Sequence, residues 1–121
     1  TSVGAPHVPA AYAISGLFEL APLIRTSLNG ALQLEDQEAH DLSPLFWTPP
    51  AGKSLDAVVG GAESGEFLRQ SDLIVRTWGK QGVTALYSEV EDANHFTVIE
   101  PLTDYRSDMV ERLAEIAEQN R

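Results

Sequence analysis

Two short apolar runs separated by one amphipathic helix constrain this chain more than anything else in it. Residues 55–59 are apolar apart from Asp56 and are bounded by Gly52 and by Gly60-Gly61, which predicts a buried strand. Residues 83–90 alternate, with Val83, Ala85, Tyr87 and Glu89 on one face and Thr84, Leu86, Ser88 and Val90 on the other, which predicts a second strand. Between them Phe67, Ser71, Ile74 and Trp78 recur at spacings of four, three and four, the period of a helix over 66–80. Ser64 is its candidate N-cap, Glu66 suits its first turn, and Gly82 ends it. Strands joined by a helix of this length run parallel, and parallel strands are covered by helices. The expected fold class is α/β, a mostly parallel sheet with helices on both faces.

The flanks are less regular. Residues 10–15 suggest a short buried strand with a turn at Ser15-Gly16. Pro22 is placed to open a short helix through Leu28, with Asn29-Gly30 stopping it. Residues 35–40 form a polar helical turn or two, and Ser43-Pro44 and Pro49-Pro50-Ala51-Gly52 break regular structure. A final helix is expected from Pro101 or Thr103, with Tyr105, Met109, Leu113 and Ile116 as its buried stripe. Two clear strands and one weaker one are few, because sheets usually have about five or six. The expectation is that 1–121 is the C-terminal portion of a single domain, completed by an upstream segment or a second chain. A first residue Thr1 in place of Met agrees with that expectation.

Composition narrows the chemistry. With 121 residues and 43% hydrophobic content the chain can bury a core. The absence of Cys removes disulfides, thiolate nucleophiles and cysteine-held metals. A formal charge of -10 disfavours nucleic acid as a partner. No stretch approaches the ~20 apolar residues of a membrane span. The expected setting is cytoplasmic, without membrane, cofactor or metal, and a homo-oligomer remains open.

Ligands and catalytic groups in open α/β sheets gather beyond the C-terminal ends of the strands. Two loops lie there: Gly60-Gly61-Ala62-Glu63-Ser64 and Asp92-Ala93-Asn94-His95-Phe96. If the strands are parallel neighbours, Glu63 and His95 face each other at one sheet edge. A serine hydroxyl needs an imidazole to accept its proton, and the imidazole needs a buried carboxylate on its other nitrogen. Glu63 and His95 suit the second and third places in the order Ser, acid, His. Taken singly, Glu63 also reads as a helix-start acid and His95 as a loop histidine. Their joint placement after successive strands gives the functional reading its weight. No Gly-x-Ser-x-Gly elbow occurs, so the nucleophile and the oxyanion donors are expected upstream.

Other candidates are set aside. His7 and His40 read as loop or helix-surface residues, and the three His lack metal-site spacing. Gly60-Gly61 lacks the remaining glycines and the Lys-Ser/Thr pair of a phosphate loop. Thr1 has nothing after it to support an N-terminal nucleophile, and Ser15 lacks the upstream glycine of an elbow.

The sequence also resembles a known family, the arylformamidases or kynurenine formamidases with their grouped esterases. The resemblance starts at Ala13-Ile14-Ser15-Gly16-Leu17-Phe18-Glu19-Leu20 and continues through Pro22-Leu23 and Ala39-His40-Asp41-Leu42-Ser43-Pro44. It is strongest at Gly61-Ala62-Glu63-Ser64-Gly65-Glu66-Phe67-Leu68-Arg69-Gln70-Ser71, similar to the family's acid loop. It closes at Asn94-His95-Phe96-Thr97-Val98-Ile99-Glu100, similar to the catalytic-histidine loop. The resemblance implies the C-terminal part of an α/β-hydrolase, with Glu63 as triad acid and His95 as general base. It implies that Ser15, Gly16, Phe18 and Phe96 border a small-molecule substrate, an aryl formamide such as N-formylkynurenine or a small ester; the alternatives are a general carboxylesterase of broad specificity and a non-catalytic binding module of the same fold. The serine would come from an upstream portion of the same protein. Two departures stand out: Glu63 where the family often has Asp, and Phe18-Glu19 for its common Tyr-Asp pair. The longer acid needs a withdrawn loop, which Gly60, Gly61 and Gly65 would permit.

Overall fold

The computed structural model describes residues 9–26 and 29–120. Three strands, β1 (Ala10–Ile14), β2 (Ser54–Gly60) and β3 (Thr84–Val90), form a sheet in the order β1-β2-β3. Both pairings are parallel, with Tyr12, Asp56 and Leu86 in one cross-strand row. The central strand β2 is buried along all but its first residue, which is why it reads as a near-continuous apolar run. Among the described residues four α-helices accompany the sheet: α1 (Asn29–Leu32), α2 (Asp36–Asp41), α3 (Gly65–Gly79) and α4 (Asp108–Gln119).

The alternation along β2 assigns the two faces. Leu55 and Ala57 pack with Ile74 of α3, Leu45 and Val83 in one buried cluster. Asp56 points the other way, and Arg112 of α4 meets it through a two-pronged ion pair at 2.7 and 3.0 Å. Helices therefore lie on both faces, as the strand–helix–strand pattern requires. Burial and the Asp56 carboxylate push the neighbouring Tyr12 phenol above its ordinary range, with Arg112 pulling the other way.

The flanks depart from expectation in two places. Pro22 opens only a 3-10 turn, Ala21–Arg25, and Leu28 lies outside the described residues. Asn29-Gly30 begins α1 instead of stopping a helix. The cause is the Asn29 side chain, which accepts from the Leu34 amide at 2.7 Å and donates to the carbonyls of Ile24 and Leu34. The last helix also starts later than Thr103. Residues Thr97–Thr103 are 3-10, and Ser107 caps α4 by accepting from the Val110 amide at 3.2 Å. Tyr105 thus falls before the helix, 82% exposed, while Met109 is buried.

The loop leaving β1 is fixed by two buried polar side chains. Gln70 of α3 accepts from the amides of Phe18 and Glu19 at 2.7 and 2.8 Å and donates to the Glu19 carbonyl and to Glu66. Ser43 accepts from the Leu20 amide and donates to the Ala39 carbonyl. Replacing Gln70 by Leu strands two backbone donors, an expected loss of about 2–4 kcal/mol in urea unfolding. An unchanged midpoint would mean that water satisfies those amides.

Candidate active site

The two loops after β2 and β3 are joined backbone to backbone. The amide of Gly61 donates to the Val90 carbonyl and that of Ala62 to the Ala93 carbonyl, both at 2.9 Å. Gly60 makes this approach possible: a Cβ there would lie 2.8 Å from the Ala93 carbonyl carbon. Asp92 turns the second loop in the left-handed region, at φ 59. Asn94 and Thr97 then brace it: the Asn94 side-chain oxygen accepts from the amides of Phe96 and Thr97, and Thr97 Oγ1 accepts from the Asn94 amide.

Glu63 and His95 meet across this junction, with His95 Nδ1 2.8 Å from Glu63 Oε1. The acid side chain is 1% exposed and the imidazole 51%. Oε2 of the same carboxylate accepts from the Gly60 amide at 2.7 Å and from Ser15 Oγ at 2.5 Å. Burial pushes the Glu63 carboxyl up. The hydrogen bonds from Ser15, Gly60 and His95 outweigh it and hold the group below its ordinary range. An ionised carboxylate only accepts, so Nδ1 carries the proton that joins them, and in the neutral ring Nε2 keeps its lone pair. Among the described residues Nε2 has no hydrogen-bond partner, and half the ring faces solvent. That is the state of an imidazole ready to accept a proton.

Two aromatic rings flank the imidazole. Phe67, in the first turn of α3, lies 4.8 Å away at 34°, and Phe96 stands edge-on at 6.0 Å. Phe96 is 83% exposed and forms an open wall beside His95. The ring of Phe18 lies over Gly16, where a Cβ would come within 2.6 Å of it, and Phe18 also packs on the core cluster. Ser15, Glu63, His95 and Phe96 thus share one site, while Phe18 turns its ring inward. His40 sits on α2, stacked on Phe46 at 4.3 Å. Thr1 and His7 lie outside the described residues. The sequence places Phe67 only by its helical spacing with Ser71, Ile74 and Trp78, and nothing in it links Ser15 to Glu63. The signal for Phe67 was an aromatic one helical turn beyond the acid. Among the described residues no group of three His, Asp or Glu side chains is placed to hold a metal, and no helix is long and apolar enough to cross a membrane.

No family model matches the chain. It is 29% identical over 104 residues to kynurenine formamidase of Danio rerio, covering 82% of this chain and 36% of that protein. It is 30% identical over 105 residues to kynurenine formamidase of Salmo salar, with the same shares. The chain thus spans about a third of the length of the curated relatives it matches. A crystal structure from a Silicibacter species, provisionally assigned as a thioesterase, superposes with a TM-score of 0.78 and 34% identity. That match covers 91% of this chain and 40% of the other. In sequence and in its parallel α/β architecture, the chain is related to arylformamidase- and esterase-type hydrolases.

Proposed function

We propose that this chain supplies the acid and the base of a serine hydrolase acting on an aryl formamide or a small ester. The observation that carries the reading is the 2.8 Å contact between His95 Nδ1 and the buried Glu63 side chain, with Nε2 left open. The serine and the oxyanion donors come from an upstream portion of the same protein. The serine oxygen attacks the carbonyl carbon while Nε2 of His95 takes its proton. The tetrahedral intermediate collapses as His95 returns that proton to the leaving amine or alcohol. A water then gives a proton to His95 and attacks the acyl-enzyme, releasing formate or another acid and restoring the serine. Glu63 stabilises the imidazolium in both halves.

Kynurenine formamidase as the sequence relative supports a formamide substrate. The thioesterase-like neighbour supports a second reading, an ester or thioester. Rates on an aryl formamide and on short acyl esters separate the two. The base role of His95 is tested in the complete, serine-bearing protein with a chromogenic ester under pre-steady-state conditions. His95→Ala is expected to abolish the burst of acyl-enzyme. A full-size burst in that variant would overturn the assignment.

A further inference from the structure

Glu63 is a long side chain for its task. It carries one more rotatable bond than Asp, so its carboxylate has more orientations to lose before it can serve His95. The structure shows what restricts it. Oε2 receives two donors, the Gly60 amide from its own loop and Ser15 Oγ from the end of β1. With Oε2 occupied on both sides, Oε1 is presented to His95. The Gly60 amide is local, three residues away, and moves with the acid loop. Ser15 is 48 residues away and brings an anchor from a different strand.

The setting of Ser15 fits a fixed donor. Its backbone is held at φ 52, in the left-handed region that a non-glycine residue adopts at a cost. Its amide donates to the Val58 carbonyl at 2.7 Å, so the β1–β2 ladder runs right up to it. The residue is 9% exposed, and no hydrogen bond links its hydroxyl to His95. Its oxygen therefore serves the acid, on the side of the carboxylate remote from the imidazole.

We infer that Ser15 is a positioning residue: its hydroxyl clamps the Glu63 carboxylate in the one orientation that serves His95, so the hydrolase depends on a serine that never touches substrate. This rests on the proposed roles of Glu63 and His95.

The test uses the complete, serine-bearing protein and four variants: Ser15→Gly, Ser15→Ala, Glu63→Gln and the Ser15→Gly/Glu63→Gln double. Gly and Ala both remove the hydroxyl, but only Gly tolerates φ 52 freely. Both are expected to lose about tenfold in kcat with KM unchanged, the scale of one lost charge-assisted hydrogen bond. The loss should be the same in both, although Ser15→Ala melts lower. In the Glu63→Gln background Ser15→Gly should cost nothing further, because the two side chains act as one unit. A kcat that follows melting temperature across the two variants would make the effect structural and overturn the inference. So would a loss confined to KM, or one that persists undiminished in the Glu63→Gln background, either of which marks a substrate contact. Normal kcat in Ser15→Gly alongside an impaired Glu63→Gln would overturn the clamp alone. An unimpaired Glu63→Gln would overturn the underlying triad reading as well.

Discussion

Replacing Glu63 by Gln is expected to lower turnover of the complete, serine-bearing protein by roughly 10⁴ while leaving it folded. The size of the loss follows from how the carboxylate is held. Gln has the same shape but one acceptor oxygen and one amino group. The Gly60 amide, 2.7 Å from Oε2, is a backbone donor and cannot turn around. It keeps the Gln oxygen at the Oε2 position, which places the amino group against His95 Nδ1. The imidazole must then accept at Nδ1 and carry its proton on Nε2, the nitrogen that takes the serine proton in the proposed mechanism. The variant also withdraws the negative charge that favours imidazolium. Steady-state kinetics on an aryl formamide and on a short ester measure the effect. Turnover near that of the unaltered protein would exclude Glu63 as the acid, whichever substrate is preferred.

The second large effect is on stability. Arg112→Leu is expected to destabilise the protein by about 3 kcal/mol, at the lower end for breaking a buried ion pair. The Asp56 side chain is 4% exposed and sits in the middle of the central strand; that of Arg112 is 25% exposed. Removing the guanidinium leaves a buried carboxylate without the two charge-assisted hydrogen bonds that Arg112 supplies. The partial access of Arg112 to water screens its attraction for Asp56, which keeps the penalty from being larger. Urea unfolding measures the loss, and the double variant Asp56→Val/Arg112→Leu should be more stable than Arg112→Leu alone. A double variant less stable than the single one would show that Asp56 is stabilised by groups other than Arg112, and would overturn the account of the loss as that of an unpaired buried carboxylate.

What the sequence disclosed follows the physics of periodicity. β2, α3 and β3 were legible because each carries an unbroken pattern, and the crossover between parallel strands fixes where their ends lie. That alone places Glu63 and His95 on one edge. Links set by side chains were hidden. Nothing local connects Asp56 to Arg112, 56 residues on, or Ser15 to Glu63. Such bonds depend on register and rotamer, which hydrophobic patterning does not encode. Gln70 was hidden for a related reason. A polar residue on a helix reads as solvent-facing, yet here it is 1% exposed and replaces the ladder that an irregular loop lacks. The late start of α4 shows local chemistry overriding pattern. The apolar spacing extends back to Tyr105, but the Ser107 cap decides where the helix begins.

The backbone junction between the acid and histidine loops also bears on motion. Gly60 packed on Ala93, with the paired bonds at Gly61 and Ala62, ties both loops to the ends of adjacent strands. The backbones that carry the acid and the base are therefore tied to each other as well as to the sheet, which opposes a change in the spacing of the two loops. In the proposed hydrolase, induced fit would then act elsewhere: on the open Phe96 wall, or on the upstream segment proposed to carry the serine.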